Sequence, residues 1–132
     1  MRLLLDTHVL IWFFSKQSLL PLKIRELILD PVNEKFLSIA SVWEMAIKSG
    51  QGKLKLPVSP RDLVTEFQGA GGLILPITLD HAWATENLPW HHRDPFDRLL
   101  IAQAAFEKLT LVSHDGQFDN YTVSRLWQLR AE

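Results

Sequence analysis

The sequence predicts an α/β fold, a single domain in which a small parallel sheet of about five strands is flanked by helices. Two observations carry that prediction. Short unbroken apolar runs recur along the chain, LLL, FLSI, LILPI and LTLVS among them, the pattern of strands covered on both faces. These runs alternate with segments bearing helix start and stop signals, and alternating βα units pair their strands in parallel. A length of 132 residues fits one domain. Residues 1–132 show no repeat, low-complexity tract or linker.

Residues 2–5 read as a short buried strand ending at Asp6. Thr7 is the expected cap of a helix running to about residue 14, with Val9, Leu10, Trp12 and Phe13 on its apolar side. Residues 21–29 read as a short second helix, closed by Asp30-Pro31. Residues 36–39 form the second strand, and a helix from about 40 to 49 is stopped by Gly50 and Gly52. Ser59-Pro60-Arg61-Asp62 has the form of a helix start: the serine caps, the proline takes the first helical position, and an acid lies three residues past the cap. That helix ends near residues 69–72, residues 73–77 are the third strand, and Thr78 caps a helix to about residue 87. Residues 89–93 read as a loop, and Asp94-Pro95 opens a helix to about residue 108. Residues 109–113 are the fourth strand and residues 123–127 a fifth.

The composition, 47% hydrophobic, supports a substantial core. The absence of cysteine excludes disulfide frameworks and thiolate metal sites and suits a reducing compartment. The N-terminal apolar run is broken by Asp6 and His8, Lys16 soon follows, and no small-residue cleavage site is visible. No apolar stretch approaches the length of a membrane span. The expectation is a soluble cytoplasmic protein without a membrane partner. A net charge of −1 leaves no general basic footprint for nucleic acid. The local group Lys48, Lys53 and Lys55 reads either as a solvated face or, beside a metal, as a phosphate contact.

Four acids stand out because each lies in or just beyond an apolar stretch: Asp6 (LLLD), Glu44 (SVWEMAI), Asp97 (DPFDRLLIAQA) and Asp115 (LTLVSHD). Asp6 and Asp115 occupy the same slot after a strand-like run. In open parallel sheets ligands bind beyond the carboxyl ends of the strands, near a switch in strand order. If the first and fourth strands are neighbours, these two acids face one crevice. Two carboxylates 4 Å apart repel by roughly 4 kcal/mol at an effective dielectric of about 20, so four acids brought together call for a divalent cation and point to phosphoester chemistry.

Each acid also has a structural reading. Asp6 is a candidate helix cap, and Asp115 with Gly116 a turn former. Glu44 can pair with Lys48 one turn later, although its apolar flanks imply burial that a surface pair does not explain. Asp94 reads as the cap of its helix, and Asp97 as a first-turn anion favoured by the helix dipole. His91 and His92 read as loop residues, since adjacent histidines rarely share a metal, and Trp90 reads as packed under a loop rather than stacked on a base.

At these residues the chain resembles the PIN-domain ribonucleases, specifically the toxin half of bacterial VapBC-type toxin–antitoxin pairs. The matching segments are LLLDTHVLIW, SIASVWEMAIKSGQGKLKL, HRDPFDRLLIAQA and LTLVSHDGQF, in order and over essentially the whole chain. The resemblance implies a parallel sheet of about five strands and a pocket binding Mg²⁺ or Mn²⁺ through Asp6, Glu44, Asp97 and Asp115. Thr7 and Ser113 match small hydroxyl positions that support such a site. It further implies an endoribonuclease silenced by a small cognate antitoxin and commonly dimeric. Some relatives carry another acid two residues after the last; here that position is Gln117, with Asp119 beyond it.

In this reading Lys48 or Arg98 neutralises phosphate charge, and Trp12, Phe13, Phe14, Leu19 and Leu20 offer apolar surface either to the core or to an antitoxin segment. Two rivals stand beside it: another metal-dependent phosphohydrolase, and a non-catalytic binding module on the same fold. A haloacid-dehalogenase-like phosphatase needs Asp-x-Asp after the first strand, where this chain has Asp6-Thr7-His8; dinucleotide and P-loop glycine motifs are absent. Buried acids without a cation are costly, which argues against the module.

Overall fold

Five parallel strands and six α-helices are described among residues 1–127 of the computed structural model; residues 128–132, expected within the same domain, lie outside the described residues. Strand β1 (Arg2–Leu5) leads into helix α1 (Thr7–Ser15), a 3₁₀ turn (Gln17–Leu19) and α2 (Leu22–Leu29). Strand β2 (Glu34–Ser38) is followed by α3 (Ile39–Gly50) and α4 (Pro60–Gly69), and β3 (Leu73–Leu75) by α5 (Leu79–Ala84) and a 3₁₀ turn (Thr85–Asn87). The long helix α6 (Pro95–Glu107), strand β4 (Thr110–Val112), a 3₁₀ turn (Gly116–Asn120) and β5 (Arg125–Leu126) complete the chain.

The sheet order is β3-β2-β1-β4-β5, every pair parallel. The register sets Leu5 beside Leu37 on one side and Val112 on the other. Leu3, Leu4 and Leu5 are all fully buried, and alternation along the strand sends them to opposite faces. Leu3 and Leu5 pack with Val9, Leu10, Ile24, Ile28, Met45 and Phe67; Leu4 packs with Leu100, Ile101, Leu111 and Phe118. Each such side chain contributes roughly 1.5–3 kcal/mol by leaving water. The chain runs outward from β1 to β3, then returns to lay β4 on the other side of β1. That reversal opens a crevice at the carboxyl ends of β1 and β4, the arrangement on which the pairing of Asp6 and Asp115 depends.

Local chemistry explains most boundaries. Ser59 accepts a hydrogen bond from the Asp62 amide, with Pro60 in the first turn of α4. Thr78 and His81 form a reciprocal capping box on α5. Gly71 (φ 89°) ends the turn after α4 in a conformation that disfavours side chains, and a Cβ on Gly72 would collide with the Phe67 ring.

Several expectations are corrected. Asp6, not Thr7, caps α1, its carboxylate accepting from the His8 amide. Strand β2 starts at Glu34 and stops at Ser38, whose hydroxyl caps α3, so Ile39 is helical. The helix expected to reach residue 87 is α-helical only to Ala84. The aromatic cluster of α1 is spent mainly on packing: Phe13 and Leu20 are buried, Trp12 and Phe14 pack against the core, and Leu19 stays exposed.

Candidate metal centre

Asp6 stands just beyond β1, held by its backbone amide to the Val112 carbonyl at 3.0 Å. One carboxylate oxygen accepts from the His8 amide at 2.8 Å, the other from Ser113 Oγ at 2.7 Å. Ser113, fully buried, also accepts from the Asp115 amide at 3.0 Å, so one hydroxyl ties together the residues that follow β1 and β4. Asp115 caps the 3₁₀ turn after β4: Oδ1 accepts from the Gln117 amide at 2.9 Å, and Oδ2 lies 2.9 Å from His92 Nε2. From α3, Glu44 accepts from Thr7 Oγ1 at 2.8 Å and from Lys48 Nζ at 2.9 Å. Thus the expected Lys48 pair exists, and Glu44 is nonetheless buried. Asp94 caps α6 by accepting from the amides of Phe96 (2.8 Å) and Asp97 (3.2 Å).

Asp6, Glu44, Asp94, Asp97 and Asp115 line one cleft of about 330 Å³, together with His8, Trp12, Lys48 and His114. All four acids singled out in the sequence therefore meet, and the cap Asp94 joins them. Among the described residues, His92, Asp97 and Asp115 offer ligand atoms that all lie within 4.8 Å of one another.

The electrostatics record the crowding. Burial pushes the Asp97 carboxyl up to about 7, reinforced by repulsion from Asp94 and Asp6 and only partly relieved by His92. Burial also pushes Asp6 upward, but hydrogen bonds from His8 and Ser113 prevail and leave it below the usual carboxylate range. The Asp6 carboxylate, 3.7 Å from His8 Nδ1, raises the imidazole of His8 against the cost of its partial burial. Hydrogen bonding to Glu44 raises Lys48. A cleft with hard oxygen donors on four separate segments, one of them only partly ionised near neutral pH, fits a divalent cation.

Several local expectations change. His92 lies in a loop, as expected, but it is buried and joins the site, 2.9 Å from Asp115 Oδ2 and 3.5 Å from Asp97 Oδ2. No local signal marks it, since its partners Asp115, Phe118 and Tyr121 are distant in sequence. Arg98 is buried and donates to the carbonyls of Thr85, Leu88, Pro89 and His92, so its guanidinium is committed to the loop and does not reach the cleft as a phosphate ligand. Trp90 is 73% exposed and lies over Arg98 at 3.7 Å, not packed beneath a loop. Asp119 forms a forked pair with Arg125 outside the cleft, so it does not stand in for the missing acid at Gln117.

The PIN domain family model matches residues 3–123. This chain belongs to the PIN-domain family. The PIN domain is similar in fold to VapBC2 from Rickettsia felis bound to a DNA fragment from its promoter (TM-score 0.73, 18% identity, covering 97% of this chain and 100% of that one). It is also similar to DNA-bound VapBC from Salmonella typhimurium (TM-score 0.63, 20% identity, 95% and 96% covered) and to FitAcB from Neisseria gonorrhoeae (TM-score 0.60, 22% identity, 93% and 95% covered). Among curated proteins no sequence matches. No helix of the described residues in this PIN domain is long and apolar enough to cross a membrane.

Proposed function

We propose that this PIN domain is a divalent-metal-dependent endoribonuclease and the toxin half of a toxin–antitoxin pair. The observation that carries the catalytic part is the convergence of Asp6, Glu44, Asp97 and Asp115 in one cleft, with Asp97 pushed toward protonation by burial and then by its acidic neighbours. Asp6, Asp97 and Asp115 would hold Mg²⁺ or Mn²⁺, with Glu44 completing or orienting the site. When bound, such an ion neutralises phosphate charge and makes water a stronger nucleophile near neutral pH. The chain's own part is positional. Ser113 and Thr7 hold Asp6 and Glu44 in place, and Lys48 at the cleft edge offers a cation to a phosphate oxygen. Water then adds to phosphorus as the P–O bond opposite breaks, the departing oxygen taking up a proton.

The toxin reading draws on the fold it shares with the VapBC structures. An apolar groove of about 680 Å³, lined by Val42, Ala46, Pro60 and Val64 of α3 and α4, supports an antitoxin segment as a partner. This replaces the surface expected from α1. Exposed Trp43, Trp83 and Leu79 support self-association into a homodimer.

The decisive experiment compares the native chain with Asp6→Asn on cellular RNA, with Mn²⁺ or chelator. Asparagine caps helices as well as aspartate does, so the fold should persist while metal-dependent cleavage disappears. Full activity in the variant, or equal cleavage in chelator, would overturn the assignment.

A further inference from the structure

The loop before α6 is anchored more firmly than its exposure suggests. His92 is clamped at three points: its amide donates to Tyr121 Oη at 2.7 Å, its carbonyl accepts from Arg98 Nη1 at 3.2 Å, and its ring packs against Phe118 with centroids 5.4 Å apart. Tyr121 Oη in turn donates to the Pro89 carbonyl at 2.8 Å, where Arg98 also donates at 2.9 Å. The imidazole faces the acids, with Nε2 2.9 Å from Asp115 Oδ2 and 3.5 Å from Asp97 Oδ2.

Facing an ionised Asp115, which can only accept, Nε2 would carry the proton in the 2.9 Å contact and could not at the same time ligate a metal. Position agrees: Asp97 and Asp115 line the cleft, whereas His92 is not among the residues that line it. Asp115 is thereby held at both oxygens, by the Gln117 amide and by His92, with its remaining lone pairs free for the cleft. Asp97 sits on a different element, α6, and His92 Nε2 lies within reach of both acids.

Resting on the metal-site reading above, we propose that His92 is the positioning residue of this centre, fixing the spacing of Asp97 and Asp115 and so setting the affinity for a divalent cation. Partners of this kind change metal affinity by about 10- to 100-fold.

The test is Mn²⁺ binding to the full chain by calorimetry, without RNA. His92→Leu should bind about 10- to 100-fold more weakly, and His92→Gln, which keeps an N–H near the position of Nε2, should recover most of that loss. In RNA cleavage His92→Leu should regain turnover at saturating Mn²⁺, with KM for RNA unchanged. Should His92→Leu not fold, Tyr121→Phe leaves the imidazole and loosens only its clamp; a smaller loss of Mn²⁺ affinity is then expected. Native-like affinity in the folded variant, or a histidine nitrogen coupling on bound Mn²⁺ by electron paramagnetic resonance that is lost in His92→Leu, overturns the positioning role alone. A native chain that binds no Mn²⁺ overturns the metal-site reading with it.

Discussion

Ser38 and Ser113 stand at the carboxyl ends of two central strands of one sheet, and both are fully buried, yet they serve opposite kinds of polar cluster. Ser38 donates to the Gln103 side chain and accepts from the Ala40 amide. Gln103 donates to the Pro76 carbonyl at 3.2 Å and lies 3.4 Å from His81 Nδ1. His81 accepts from the Thr78 amide and reaches Glu107 at 2.9 Å through Nε2. This cluster contains one acid and closes on itself, the condition under which buried polar groups stabilise a unique packing. Ser113 instead bridges Asp6 and the Asp115 amide, in a cluster of acids that opens on a cleft. The difference teaches how to tell structure from function among buried polar groups. A network whose donors and acceptors balance needs nothing more, whereas surplus like charge facing a cavity needs a ligand.

The sharpest way to break the comparison is to remove charge from the open cluster. Asp97→Asn should lower RNA cleavage by about a thousandfold, the scale seen when an electrostatic contact to the reacting group is lost, while circular dichroism stays native. Retained turnover would mean that the surplus charge has no catalytic purpose.

Next in size is the linkage between pH, metal and stability. The folded-state pKa of Asp97, about 7, lies above its ordinary 3.8. Between those values the folded chain holds a proton that the unfolded chain has released, so metal-free stability should fall as pH rises from about 4 to about 7. Mn²⁺ should therefore raise the melting temperature more at pH 8 than at pH 5, and 100-fold excess over the Kd corresponds to about 2.7 kcal/mol. Asp97→Asn should melt higher than the native chain in chelator at pH 8. A metal response independent of pH would count against this coupling.

The closed cluster should answer in the reverse sense. Gln103→Ala strips the fully buried Ser38 hydroxyl of its acceptor, and a buried group left unpaired costs about 1–3 kcal/mol. Denaturant unfolding should show that loss, while cleavage per folded molecule stays native; reduced turnover at full occupancy of the fold would erase the distinction between the two clusters. The smallest effect belongs outside both. Asp119→Asn breaks an exposed pair with Arg125 and should leave Mn²⁺ affinity and cleavage unaltered, whereas a weakened metal site would restore Asp119 as a ligand candidate.

How legible each element was depended on whether its cause is local. The slots of Asp6 and Asp115 show in the sequence because a carboxylate directly after an unbroken apolar run is conspicuous. Glu44 shows because Val42, Met45 and Ile47 flank it. The Ser59 and Asp94 caps were legible from three or four neighbouring residues. His92 was not, since the partners that bury and aim it, Asp115, Phe118 and Tyr121, lie 23 to 29 residues away. Arg98 reads as a candidate phosphate contact for the same reason: the loop carbonyls that fold onto its guanidinium come from elsewhere in the chain.

By itself the sequence determined the βα alternation, most helix starts, and which four acids to suspect, because periodicity, capping and apolar flanks act over a few residues. Only the tertiary structure decided that β4 lies beside β1, that Ser113 joins Asp6 to the Asp115 amide, and that His92 reaches Asp115 while Asp119 and Arg98 turn away. Strand order and long-range hydrogen bonds arise from packing the whole core, and no short window of the chain contains the energy that selects them.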